Sequence, residues 1–322
     1  MNMIYAPVII PTLNRIEHLR KCIDSLNNCH NADQTEVFIS VDYPPSEKYM
    51  EGHDQICDYL DKTTFRFKQL HVYIQKENLG INNGGKDILD NFTFLKNKVS
   101  ESFDRWIVSE DDNVFAPGFL DFMNEALEKF KDDNTVFSVC GYRFYYNLKI
   151  GNNNFIRQNT DFNAWGMGVW RDKYMDVDLL DVSYLRKMLY NPLKILKLWR
   201  VSNKQVGHLA CFSRKKSFKK GDNFLTLYMI DRGMTQIMPA KSLVRNIGWD
   251  DSGLHCLGFE KEVAEKFQHQ EIDVVSKFEG LKGTGWEYFE ENQRVIRDED
   301  FQHTTFLHAF KALVIRLISF WK

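Results

Sequence analysis

Between Ala6 and Tyr142, short runs of β-branched and apolar residues alternate with stretches whose apolar residues recur every three or four positions. That alternation restricts the fold more than any other feature of the chain. Strands separated by helices can share a sheet only through crossovers, and crossovers make the sheet parallel. APVIIPT reads as the first strand, and NRIEHLRKCIDSLNNC as the first helix, with Ile16, Leu19, Ile23 and Leu26 on one stripe. EVFISVD, LHVYIQ, RWIVS and TVFSVCGY read as further strands. HDQICDYLDK, the segment through Lys86, Ile88 and Leu89, and PGFLDFMNEALEKFK read as the helices between them. The expectation is an α/β fold with a mostly parallel central sheet flanked by helices.

Sheets of this kind bind ligands outside the carboxyl ends of their strands. Three polar features fall there: Asp42 after the second strand, the ENLGINNGG loop after the third, and Glu110-Asp111-Asp112 after the fourth. Three adjacent carboxylates repel one another, so solvent, a basic neighbour or a metal ion must compensate them. Oxygen donors at a strand end suit a hard divalent cation, Mn²⁺ or Mg²⁺, whose shell a substrate's phosphates can complete. An EF-hand is excluded, because the sixth position counted from Asp111 is Ala116 and the twelfth is Phe122. GINNGGKD, Gly80 to Asp87, approaches a phosphate-binding P-loop, but Asp87 stands where a hydroxyl belongs and would repel phosphate. The loop and the helix start after it are expected to sit against a nucleotide.

The chain of 322 residues is 43% hydrophobic and 27% charged, the profile of an ordinary globular protein. A net charge of −2 provides no field for nucleic acid. Six cysteines without a CxxC read as reduced thiols in a cytosol. MNMIYAPVIIPT lacks a basic n-region and a long apolar run, so no signal peptide is expected, and no apolar stretch is long enough for a spanning helix. After about residue 150 the alternation decays. DVSYLRKMLYNPLKILKLW reads as basic and helical with a break near Pro192, and residues 222–240 as a helix followed by a short strand.

The tail, FLHAFKALVIRLISFWK, gathers His308, Lys311, Arg316, Ser319 and Lys322 within one arc of a helical wheel. Phe306, Phe310, Leu313, Val314, Leu317, Phe320 and Trp321 lie opposite, and no acid follows Asp300. Such a segment suits the plane of an anionic membrane surface, with packing on the core as the other reading. The basic run SRKKSFKK, residues 213–220, would add to the attraction.

Several of these stretches resemble a known group. VIIPTLNRIEHLRKCIDSL is similar to the opening strand and helix of family 2 glycosyltransferases. ENLGINNGGKDIL occupies the place of their N-x-G segment, with Lys86-Asp87 in place of the usual Arg-Asn. SEDDNVFAPGFLDFMNEAL resembles the E-D-D form of the Asp-x-Asp motif in the GlcNAc-transferase I family, which initiates complex N-glycans in eukaryotes. TDFNAWGMGVWRDKY is similar to the later Gly-Trp segment of the same family. The likeness covers residues 5–175 well and 220–256 loosely.

The resemblance implies a GT-A fold with a catalytic domain over 1–258, divided into a nucleotide-sugar half (1–150) and an acceptor half (151–258). A C-terminal extension (259–305) and an amphipathic tail helix (306–322) follow. It implies Mn²⁺ or Mg²⁺ on Asp112, with Glu110 and Asp111 toward ribose and sugar. Asp42 would contact base or ribose, and Thr12, Arg15, Gly80 and Lys86 would lie along the donor. A UDP-sugar is the favoured donor. The resemblance also implies a general base at the start of a helix after the Gly-Trp segment. GDNFLTLYMIDRG offers Asp222, which is also a plausible helix cap, with Asp231 and Asp161 behind it. In NIGWDDSGLHC, His255 is a candidate further metal ligand beside Asp250 and Asp251.

The implied activity is a hexosyl- or N-acetylhexosaminyltransferase, inverting, acting on a glycan or lipid-linked glycan in surface polysaccharide synthesis. Its place would be cytoplasmic, peripheral to the inner face of the cell membrane. Two alternatives stand beside it. A nucleotidyltransferase would carry a Gly-rich loop after the first strand, where this chain has TLNRIEH. A non-catalytic carbohydrate-binding protein would account for the 14% aromatic content without needing Asp112.

Overall fold

The computed structural model describes residues 4–80, 90–214, 220–250, 252, 261–274, 278–300 and 305–318. The first half runs β1 (Val8–Thr12), α1 (Ile16–Asn27), β2 (Glu36–Val41), α2 (Met50–Lys62), β3 (Gln69–Ile74), α3 (Asn91–Ser100), β4 (Arg105–Val108), β5 (Asn113–Phe115), α4 (Phe119–Lys129) and β6 (Val136–Cys140). The second half runs β7 (Phe155–Gln158), β8 (Met167–Trp170), α5 (Arg171–Asp178), α6 (Val182–Leu189), α7 (Pro192–Val201), α8 (Asn203–Phe212), α9 (Asp222–Arg232), β9 (Thr235–Pro239) and β10 (Val244–Asn246). α10 (Lys261–Gln268), α11 (Phe289–Asp300) and α12 (Phe306–Ile318) complete it.

Eight strands form one sheet in the order β3-β2-β1-β4-β8-β6-β9-β7. β3, β2, β1 and β4 are mutually parallel. β8 then runs antiparallel to both β4 and β6, β9 is parallel to β6, and β7 closes the edge antiparallel to β9. The α/β class with a mostly parallel sheet is therefore as expected. β8 was not legible as a strand: four residues are too few for an alternation to register. Its insertion between β4 and β6 joins residues on either side of 150 in a single sheet.

Both faces of the sheet are covered, which is why its strands read as nearly continuous apolar runs. Val8 and Ile10 of β1 point to one side, where they meet Leu19, Ile23 and Leu26 of α1 and the apolar stripe of α4. Ile9 points to the other, joined by Trp106 and Val108 of β4 and by residues of α3, α8 and α9. The segment after 278 is stitched to the β7 edge. Asn292 of α11 accepts from the Lys149 N–H and donates to its carbonyl, and the Arg157 N–H donates to the Gly285 carbonyl.

Pro192 does break the basic helical stretch, as the first residue of α7, with Asn191 capping the Leu193 and Lys194 N–H groups. The tail packs on the body. Ala309, Leu313 and Arg316 of α12 are buried, and Trp199 of α7 stacks on Phe306 and Phe310. This corrects the wheel-based placement of Arg316 among solvent-facing cations. Its guanidinium is buried and donates to the Ser213 hydroxyl and carbonyl at the C-terminus of α8, where a cation meets the helix dipole. Residues 319–322 and most of SRKKSFKK lie outside the described residues. Among the described residues no helix is long and apolar enough to cross a membrane.

The docking of α12 sets up a contrast between two of its aliphatic residues. Leu313 is 7% exposed and Ile315 58% exposed. Leu313→Ala should cost about 2–3 kcal/mol of unfolding free energy, and Ile315→Ala less than about 0.5 kcal/mol. Chemical denaturation of the two variants checks this, and equal small losses would mean that α12 does not pack on α8 as described.

Candidate active site

β1 and β4 are neighbours with their carboxyl ends on the same edge, and this alone brings Thr12 and Arg15 against the acids. The Thr12 hydroxyl donates to Asp111 Oδ2 at 2.8 Å. The Arg15 guanidinium, at the entry to α1, bridges both acids: its Nη2 donates to Asp111 Oδ1 and lies 2.8 Å from Asp112 Oδ2. Asp111 and Asp112 are each 5% exposed. Of the compensations open to the acid run, a basic neighbour is present.

A second element reaches the acids from far along the chain. β5 begins at Asn113, directly after them, and pairs antiparallel with β10, so that Asn246 sits opposite Asn113. Asn246 Nδ2 donates to Asp112 Oδ1 at 2.6 Å and lies within 3.5 Å of Glu110 Oε2. The Ile247 N–H donates to the Asp112 carbonyl, and the Gly248 N–H to Asn246 Oδ1. The chain passes so near the carboxylate that a Cβ on Gly248 would lie 2.1 Å from Asp112 Oδ2, so only glycine fits there. Neither Asn246 nor Gly248 was identified from sequence. The signal was a three-residue ladder between segments about 130 residues apart, which no local pattern reveals.

Asp222 is the first residue of α9, and Gly221 holds the cap position, so the helix-cap alternative is not what the backbone adopts. Its charge contributes to the raised proton affinity of Glu110. As an anion at a helix N-terminus it is favourably placed. Asp231, the second candidate base, is at the opposite end of α9. There it accepts from the Tyr184 hydroxyl at 2.7 Å and pairs with Lys194 at 2.8 Å, a structural role. Asp161 pairs with Lys204.

Asp42 is occupied differently from the expected base or ribose contact. Its carboxylate accepts from the Leu79 N–H at 2.8 Å, the Gly80 N–H at 3.2 Å and the Asn78 amide. It therefore pins residues 78–80 to the end of β2, with Gly80 at a positive φ of 38°. Lys86 and His255 lie outside the described residues. His18, not singled out from sequence, pairs with Asp250 at 3.1 Å and is close enough to oppose the rise in the Asp112 pKa.

Trp249 follows Gly248 immediately and stacks on Phe267 with centroids 4.3 Å apart. Trp165, from the Gly-Trp segment, meets both edge-on, and Tyr142 packs edge-on against Trp165. An aromatic wall therefore begins one residue from the Asp112 contact.

Asp111 and Asp112 share one guanidinium, and Glu110 lies within reach of its charge. Burial works against the charge on Arg15, but Asp111 and Asp112 outweigh it and raise the pKa above the ordinary range. Crowding by protein, then Asp112, Asp222 and Asp111 in turn, push Glu110 up to about 8, with Arg15 opposing. Glu110 nonetheless keeps an exposed surface. Asp112 is also raised, by burial foremost, with Arg15 opposing. The site carries surplus negative charge that an added cation would relieve.

The donor set is all oxygen, which suits Mn²⁺ or Mg²⁺. Among the described residues no group of three or more His, Cys, Asp or Glu side chains converges as a metal cage. The residues present fit a cation held by one or two carboxylates and completed by phosphates, with Arg15 as its competitor.

No protein-family model and no curated protein matches the sequence. Solved structures resemble it remotely. The 1–349 fragment of S. aureus TarS in complex with UDP is 12% identical, with 69% of each chain covered and a TM-score of 0.38. Mannosyltransferase PcManGT from Pyrobaculum calidifontis, in complex with GDP-Man and Mn²⁺, is 12% identical over 71% of this chain and 73% of that one, with a TM-score of 0.36. Against longer S. aureus TarS, 55% of this chain matches 30% of that chain at a TM-score of 0.34.

Folded Glu110 holds a proton that the unfolded chain releases near the ordinary value of 4.5, up to about pH 8. Stability contributed by that proton is present below pH 4.5 and is lost as the pH rises toward 8. The melting temperature of the free protein should therefore fall between pH 5 and 8, and Glu110→Gln should shrink the fall and stabilise the protein at pH 8. An unchanged pH dependence in the variant would place the raised affinity elsewhere.

Proposed function

We propose that the protein is a GT-A-type glycosyltransferase, moving a sugar from a nucleotide-diphospho-sugar, a UDP-sugar by preference, to a glycan acceptor. The observation that carries the reading is the convergence of Thr12, Arg15, Asp111, Asp112 and Asn246 at the carboxyl ends of β1 and β4, with Asp222 presented from α9. A donor of this kind brings a diphosphate, and the edge offers what a diphosphate needs: a guanidinium, and carboxylates able to share a cation with it.

Asp112, with Asp111 beside it, is the proposed seat of Mn²⁺ or Mg²⁺. The bound cation would supply Lewis-acid compensation of charge on the departing diphosphate. Arg15, drawn off its two acids by the diphosphate, adds a second positive charge to the same leaving group. The Asp222 carboxylate accepts the proton of the acceptor hydroxyl as that oxygen bonds to the anomeric carbon. The bond from that carbon to the diphosphate oxygen breaks, its electrons leave with the nucleoside diphosphate, and configuration inverts. Asp42 contributes indirectly by holding residues 78–80 at the end of β2. The Trp165–Trp249 wall offers flat apolar faces on which a sugar ring can stack. The choice between a hexose and an N-acetylhexosamine, and a place in surface polysaccharide synthesis, are further parts of the reading.

The test separates the two acids. Asp222→Asn should lower turnover by about 10²–10⁴-fold while nucleotide-sugar affinity stays within twofold or so. Asp112→Ala should instead abolish the dependence of nucleotide affinity on Mn²⁺. If Asp222→Asn loses affinity in step with turnover, Asp222 is a binding residue and the base is another group.

A further inference from the structure

α12 departs from the rule for a surface helix, which buries an apolar stripe and turns a polar one outward. Its inward stripe is Ala309, Leu313 and Arg316. Its outward stripe carries Leu307, Ile315 and Ile318, each more than half exposed, with Lys311 among them. The neighbouring α7 repeats the pattern: Ile195 and Leu198 are buried, while Leu193 is 76% exposed and Leu196 46% exposed, one turn from the exposed Arg200. Trp199 of α7 lies against Phe306 and Phe310 of α12, so the two apolar faces adjoin. Where α7 begins, an open groove of about 710 Å³ is lined by Arg186, Lys187, Tyr190, Asn191 and Leu193, among others. Arg186 bonds to the Ser213 carbonyl, the acceptor that Arg316 of α12 also uses, so the groove and α12 meet at one point.

Charge says what covers this face. Residues 182–201 and 305–318 contain no acid, in a chain whose net charge is −2; of their cations Arg316 is buried and Lys194 pairs with Asp231. Lys187, Arg200 and Lys311 are exposed on the same helices as the apolar residues. An acid-free face that mixes exposed aliphatic side chains with cations matches the boundary of an anionic bilayer. There the apolar groups enter the acyl region, and the cations lie at the phosphates. A second copy of this chain would bring the same positive charge to the contact and repel.

We propose that α6, α7 and α12 form a docking surface for an anionic lipid bilayer, with the α6–α7 groove taking lipid headgroup phosphates. The surface is coupled to the site through α9. This helix starts at Asp222, whose charge acts on Glu110, and ends under α7, where Lys194 pairs with Asp231 and Lys197 donates to its carbonyl, about 15 Å along the helix. Docking by this face would hold the acids a helix length from the lipid boundary, which suits an acceptor whose glycan stands above a lipid anchor. That last step deepens the glycosyltransferase reading and rests on it, but lipid docking itself does not.

The experiment is flotation of the full chain with vesicles of phosphatidylcholine alone or mixed equally with phosphatidylglycerol, in the absence of nucleotide. The wild type should float with the anionic vesicles, more weakly as salt rises and without complete release. Leu193→Glu/Leu307→Glu/Ile315→Glu should reduce partitioning by at least about tenfold, and Lys187→Glu/Arg200→Glu/Lys311→Glu should erase the preference for phosphatidylglycerol. All six positions are exposed, so both variants should keep the wild-type melting temperature and their turnover on a soluble acceptor. Failure of the wild type to float, or an apolar variant that floats unchanged, overturns the proposal. So does a wild-type dimer in sedimentation velocity that the apolar variant converts to monomer, because a second copy would then be the occupant. Loss of turnover in every form with docking intact would overturn the catalytic reading instead.

Discussion

Asp111 and Asp112 are buried side by side, and Arg15 is the cation that lets them be so. Burying a carboxylate without a partner costs several kcal/mol, and two adjacent ones would each raise the cost for the other. The guanidinium is fixed to both, and it sits at the entry to α1, so the first helix, the first strand and the end of β4 are bound through one ionic contact. The contact does not neutralise the cluster. Glu110 is pushed up in pKa by its neighbours, and Asp112 likewise by burial and Asp111, which marks a site built with more negative charge than the protein itself compensates. Groups whose proton affinities are displaced in this way cluster at functional sites.

The sheet gathers further groups around this local arrangement. Four parallel strands place their carboxyl ends along one edge, so Thr12, Asp42 and the acids lie together without a long-range fold signal. The antiparallel β8 then carries the Gly-Trp segment to the same region, and the β5–β10 ladder lays Asn246, Gly248 and Trp249 across the acids. Asp112 Oδ1, which the first half leaves available, is met by Asn246 from the second. The second half of the chain is thus anchored to the same carboxylates as the first.

What was legible in the sequence is what local periodicity encodes. β1 to β4, β6 and the helices α1, α2 and α4 follow from apolar spacing, and the acids at the end of β4 follow from their position after a buried run. Asn246 and Gly248 were not legible, because their importance comes from a ladder between distant segments. Gly248 looks like any loop glycine until the approach to Asp112 is seen. Arg316 shows the limit of a helical wheel. Periodicity placed it on a polar face, whereas in the fold it turns inward to the Ser213 hydroxyl and carbonyl at the end of α8. At Asp42 the strand-end position says nothing of the backbone N–H groups of residues 79 and 80 that its carboxylate accepts from.

The proposed glycosyltransferase reading requires an acid pair that exchanges its internal cation for a metal–diphosphate complex. Titration calorimetry of the free protein with UDP and with GDP, in Mn²⁺ and in excess chelator, measures that exchange directly. Binding of UDP should be at least about tenfold tighter with Mn²⁺ than in chelator. It should be accompanied by proton release near pH 7.5, as Glu110 loses the proton that its neighbours hold on it. Equal affinity in chelator, or no binding of either nucleotide with Mn²⁺ present, would contradict it.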